Sequence, residues 1–267
     1  MTNSKRRTLG AIALILGLVA LMLILVLTAL HAVGTDGALY YSEQIKAEIL
    51  PRAGISEDDL RDLNGRLAAY LAGDEAALNE GEGIVRMPVF GETQPAFNER
   101  EMTHMEDCFK LFALLRTVRG RLIPWAILLI VGGAYLLQNR RKARMAAWLA
   151  PLILLVPLGA FGIWAAIDFD GAFIFFHRLL FTNDLWLLNS RTDLLIRICP
   201  ESMFMALGLR IALWSLAAVI AVPALATVIS FIWPKNKQDE ANSWKDNRAT
   251  RRASEQRPKT FDFGEKR

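Results

Sequence analysis

The chain has 267 residues, of which 53% are hydrophobic and 22% charged, with a formal net charge of +4. Those averages hide a segregation of long apolar runs from strongly polar stretches, which excludes a soluble globular domain and points to a polytopic membrane protein. The basic balance does not indicate a nucleic-acid binder, because it is a mean over opposite poles: between 34 and 119 there are 16 acidic against 9 basic residues.

In chain order, a short polar N-terminus (1–8) precedes an uncharged run from Leu9 to Val33. Its length suits the roughly 20 residues a tilted helix needs to cross about 30 Å of hydrocarbon, and exceeds a signal-peptide core of about 7–15. It reads as an uncleaved first transmembrane helix (9–33). Three further runs qualify, giving transmembrane helices at 120–138, 146–167 and 203–233. The expected class is therefore all-α: four spans with a mainly helical extracytoplasmic domain. Lys5, Arg6 and Arg7, then Arg140, Arg141, Lys142 and Arg144 of a basic loop (139–145), then Lys235 and Lys237 all fall on one side of that arrangement. Lysine and arginine are retained on the cytoplasmic side. Both termini are expected there, with 34–119 and 168–202 facing outward. The tail 234–267, rich in charge and poor in apolar residues, is expected to be disordered.

Within the first outer segment, Ala38 to Leu50 and Ser56 to Leu71 have helical spacing, and Ser56-Glu57-Asp58-Asp59 reads as an N-cap with an acidic first turn. An acidic, glycine-rich stretch (73–83) leads to a short extended run, Ile84 to Phe90. From Phe97 the pattern is again helical, with no breaker before Gly120 and Pro124, so one long helix should descend into the second span.

Only three histidines occur: His31, His104 and His177. All three fall at or beyond the outer surface, and imidazole is the side chain that exchanges a proton near neutrality. In HMEDCFKLF (104–112), His104, Asp107 and Cys108 share one side of a helix. Here the spacing fits a half-buried histidine oriented by a carboxylate as well as a functional one. A metal site from His104 and Cys108 would need more ligands converging, and no second CxxC or HxxxH supplies them, while the two cysteines, Cys108 and Cys199, leave a disulfide open. The stretch from Phe173 to Phe181 is apolar but half a span long and is interrupted by His177 and Arg178. It reads as an interfacial or re-entrant element, with Trp186 placed at the same depth.

The blocks HMEDCFKLF, FHRLLFTNDLWLL (176–188) and TDLLIRICPESMF (192–204), in a four-span chain of this size, resemble the lipoprotein intramolecular transacylase family of Gram-positive bacteria. The resemblance covers roughly residues 9–233. It implies a bacterial cell-membrane enzyme that moves the sn-2 acyl chain of a diacylglyceryl-modified lipoprotein onto the α-amine of its N-terminal cysteine, giving the lyso form. It implies two essential histidines at positions matching His104 and His177. Cys108 stands where a valine is expected and Asn189-Ser190 where Asp-Pro is more usual; neither removes a proton-transfer group. Supporting candidates are Asp107, orienting His104, and Arg178, Asn183, Asp184 and Trp186 for oxyanion contact, amine binding and positioning. Aminolysis of an ester within one molecule needs no enzyme nucleophile, and no GxSxG elbow is present. No cofactor, metal, nucleic acid or obligate protein partner is expected beyond lipoprotein N-termini and the bilayer. A membrane lipid hydrolase or acyltransferase of other specificity, and a non-enzymatic outer-surface sensor or assembly factor, are the alternatives.

Overall fold

The computed structural model describes residues 3–81 and 83–232, together with Trp244 and Arg248; the tail expected to be disordered otherwise lies outside the described residues. Among the described residues, four helices are long and apolar enough to cross a membrane: α1 (Asn3–Gly34), α5 (Glu99–Leu137), α6 (Arg140–Ile167) and α9 (Glu201–Ile232). Between them lie α2 (Gly37–Lys46), α3 (Leu50–Ala53), α4 (Glu57–Ala72), α7 (Phe169–Leu180) and α8 (Leu194–Ile198). The described residues also form two small antiparallel hairpins, β1 (Asn79–Glu80) with β2 (Gly83–Ile84) and β3 (Arg86–Val89) with β4 (Glu92–Pro95).

The bundle is held together by close backbone approach. A Cβ on Gly10 would come within 2.5 Å of the Leu137 amide, and one on Gly133 within 2.5 Å of the Leu14 amide, so α1 and α5 cross glycine to backbone. In an apolar medium such contact replaces the hydrophobic effect as the source of helix association. Leu14, Leu18, Met22, Leu137, Ala147 and Val219 fill the seam. Outward, Ile127, Leu128 and Val131 of α5 and Leu209, Leu213 and Ile220 of α9 are exposed, as an exterior made for lipid requires.

At one end of the bundle a second core joins Leu60, Leu63 and Leu67 of α4, Met87 and Val89 of β3, Phe97, Met105 of α5, and Leu194 and Ile198 of α8. The two segments read from sequence as separate outer pieces therefore form one body. Asn98 and Glu101 join them. They form a reciprocal capping box at the start of α5, while Asn98 Nδ2 also donates to Asp193 (2.9 Å) and Glu101 Oε1 accepts from the Leu195 amide (2.6 Å).

Several local expectations change. Ser56 caps α4 by accepting from the Asp59 amide at 3.1 Å, as its sequence indicates. The helix expected over Ala38 to Leu50 instead ends at Lys46, because Glu48 turns left-handed (φ 51°) and the chain restarts as α3. The extended run Ile84 to Phe90 is divided between the two hairpins: Ile84 ends β2, and Arg86–Val89 form β3, whose two-residue turn to β4, Phe90-Gly91, has positive φ at both positions (51° and 85°). The basic run 140–144 is not a loop: it forms the first turns of α6, capped by Asn139. The element around His177 is a regular helix of 12 residues, α7.

Candidate active site

His104 lies in the second turn of α5. A helix of 39 residues is about 58 Å long, well beyond the roughly 30 Å of hydrocarbon, so its first half rises out of the bundle with this histidine on it. His177 lies in the last turn of α7, facing back towards α5. The two imidazoles meet with ring centroids 6.3 Å apart, and both are buried, at 8% and 9% exposure.

His177 is enclosed by aromatic rings: Phe173 at 3.9 Å, Trp186 stacked at 4.9 Å and Phe181 at 5.7 Å. Its Nδ1 lies 2.8 Å from the Phe173 carbonyl oxygen. A carbonyl only accepts, so Nδ1 carries the proton and Nε2 keeps its lone pair. Around His104 the arrangement is different: Nε2 lies 3.7 Å from Cys108 Sγ, and Nδ1 is buried with no partner. Burial, and then the neighbouring His177, hold the His104 imidazole at about 4, against the opposing pull of the Asp107 carboxylate. Burial likewise lowers His177, partly offset by the Phe173 carbonyl. Both rings are thus neutral near pH 7. Burial and the Asp107 charge push the Cys108 thiol up to about 12, and burial pushes Cys199 up to about 12; both are free thiols.

The supporting candidates divide. Asp107 does not orient His104, because its Oδ2 accepts from Asn183 Nδ2 at 2.8 Å instead. Asn183 also accepts, through its carbonyl, from Trp186 Nε1 at 2.9 Å. Trp186 is 5% exposed and seals His177 rather than reaching out to an interface. Arg178 and Asp184 have exposed side chains, and the Asp184 carbonyl accepts from Arg100. His31, near the end of α1, faces Phe112 at 6.3 Å and is separate from the pair. Phe173 and Phe181 were not singled out in the sequence, though they flank His177 at i−4 and i+4 and so share its helical stripe. Among the described residues, no group of three His, Cys, Asp or Glu side chains is placed to hold a metal.

Two neutral imidazoles, each with one ring nitrogen that has no protein partner, thus lie in an aromatic niche where a small domain meets a bundle of membrane-length helices. The family model for lipoprotein intramolecular transacylase Lit matches residues 15–204, and the chain belongs to that family of acyltransferases. Its reaction is intramolecular lipoprotein transacylation. Two solved in meso structures of the membrane integral lipoprotein intramolecular transacylase Lit from Bacillus cereus share the fold. One has a TM-score of 0.55 at 22% identity, covering 84% of this chain and 93% of that one. The other, with a histidine-to-arginine mutation, has a TM-score of 0.54 at 23% identity, covering 84% and 90%. No curated protein matches.

Proposed function

We propose that His104 and His177 carry out the transfer of the sn-2 acyl chain of a diacylglyceryl lipoprotein to the α-amine of its N-terminal cysteine. The observation that carries this reading is the pairing of two buried imidazoles, each with one ring nitrogen that no protein group satisfies. In this reading the protonated Cys108 directs its S–H at Nε2, so that His104 bears its proton on Nδ1, the nitrogen without a partner. His177 Nε2 is an acceptor without one.

The neutral amine attacks the ester carbonyl carbon, and the carbonyl electrons move to an oxygen stabilised by His104 Nδ1–H. The nitrogen, now positive, gives a proton to His177 Nε2. Collapse expels the glyceryl oxygen, which takes that proton from His177, leaving an amide and a free hydroxyl. No water is consumed. Because amine and ester belong to one molecule, positioning them can supply several kcal/mol, on the scale of the ~7–11 available to intramolecular reactions.

The three basic clusters support an orientation with both termini cytoplasmic and the histidine niche on the extracytoplasmic side of a bacterial cell membrane. The test is mass spectrometry of lipoprotein N-terminal peptides from cells with and without the protein. A transacylase converts diacylglyceryl to lyso form with the acyl count unchanged. A hydrolase leaves the amine free, and a sensor leaves the peptides unaltered; either result defeats the proposal.

A further inference from the structure

Beside the histidine pair a groove of about 210 Å³ runs between α5 and the chain leaving α7. Leu111 and Leu114 form one wall, Leu180 and Phe181 the other, and Asp107 and Asn183 lie at its polar end. Phe181 belongs both to the groove and to the site, since its ring centroid is 5.1 Å from His104 and 5.7 Å from His177. The groove and the histidine pair thus share Phe181 as a common wall. Leu114 and Leu180 are exposed, at 57% and 38%, giving an apolar floor without cover.

The Asp107 carboxylate is fixed but not neutralised. Asn183 Nδ2 holds Oδ2 at 2.8 Å, whereas Lys110 Nζ stands 4.0 Å from Oδ1 and is itself paired with Glu106 at 2.7 Å. The titratable groups around Asp107 are His104, Cys108 and Lys110 of its own helix; the facing chain offers the uncharged Thr182 and Asn183. The side chain is 24% exposed, so one face is open to a cation.

On the function proposed above, the substrate presents an α-ammonium next to acyl chains, matching an anion next to an apolar channel. We propose that this groove docks the substrate's N-terminal cysteine, with Asp107 receiving the α-ammonium and Leu111, Leu114 and Leu180 receiving an acyl chain. Asp107 is then a docking group for the nucleophile, one helical turn from His104. It favours the charged amine while binding it, so the proton must leave before attack.

The test compares two diacylglyceryl-cysteine peptides, one with a free amine and one N-acetylated, on the full protein and on Asp107→Asn, which keeps side-chain size and can still accept from Asn183. The free-amine peptide should bind the variant roughly tenfold more weakly, as loss of a charge-assisted contact predicts. The acetylated peptide should change by less than about twofold, and the acid limb of kcat should move to lower pH. Asp107→Glu should recover part of the difference. Equal weakening of both peptides, or of neither, overturns the proposal. Binding of the two peptides can be compared even if the full protein fails to convert the free-amine peptide, a failure that would defeat the function proposed above and not the role of Asp107.

Discussion

The rings of His104 and His177 lie 6.3 Å apart and are tilted by 37°, and no hydrogen bond joins them. A directly bonded pair would use one nitrogen of each ring to satisfy the other. Here His104 Nδ1 and His177 Nε2 are each left without a protein partner. On the proposed function, the ester carbonyl and the amine are the partners these nitrogens take.

Removing either ring should therefore stop the reaction. His104→Ala and His177→Ala are each expected to lower lyso-lipoprotein formation by about 10²–10⁴-fold while the protein still accumulates in the membrane. His31→Ala, outside the pair, is expected to keep most activity. Mass spectrometry of substrate peptides, with immunoblotting of membranes, measures both; a dead His31 variant beside an active His104 or His177 variant would reassign the site.

The acid limb of the rate should belong to the substrate. His104 is held at about 4 and His177 also lies below its ordinary value. Activity is expected to rise as the α-amine, with a reference pKa of about 7.7–8.0, loses its proton, without a separate step at the ordinary imidazole value near 6.5. Stability has the same sign. The unfolded chain binds the His104 proton more readily, so the folded site is most stable above about 6.5 and loosens as pH falls towards about 4. Turnover and thermal unfolding between pH 4 and 9 check both.

Neither thiol should be the nucleophile. Both are protonated near neutrality, so a variant with both cysteines replaced by serine is expected to retain turnover, slowed less than about tenfold by the altered His104 contact. Chelators should have no effect, because the described residues bring together no ligand set. Loss of activity with EDTA, or strict dependence on Cys108, would contradict the mechanism.

Trp186 should act through His177. Its ring stacks at 4.9 Å and its Nε1–H is tied to the Asn183 carbonyl. Trp186→Ala is expected to reduce kcat about tenfold or more by releasing the imidazole, whereas Trp186→Phe, which keeps a stacking face, should lose less. An alanine variant with unchanged kcat would remove Trp186 from the site.

Topology can be read by labelling. With the native cysteines replaced, a cysteine at Glu80 should react with an impermeant reagent from outside, and one at Arg141 only after permeabilisation; the reverse result would invert the proposed orientation.

Much of this was legible in the sequence because the spans are long and one-phased. The continuous helix through His104 followed from the absence of any breaker between Phe97 and Gly120. What was not legible depends on partners distant along the chain. Asp107 has His104 at helical spacing, yet Asn183 takes its carboxylate. Trp186 has the composition of an interface residue, but tertiary packing places it on His177. The turn at Phe90-Gly91 lacks the usual Asn-Gly signal; a non-glycine at φ 51° is held there by the Phe90 amide donating to the Gly54 carbonyl at 2.6 Å and by Arg197 over the ring at 5.3 Å.

Asn98 caps α5 with one end of its side chain and grips Asp193 with the other, while Glu101 closes the same box and holds Leu195. The beginning of the helix that bears His104 is thus finished by residues synthesised about a hundred positions later, after α6 and α7 have been made. A nascent or half-inserted chain has neither the second imidazole nor the clamp that seats it. The segment that carries His104 therefore gains its full set of partners only once the chain beyond α7 has been made.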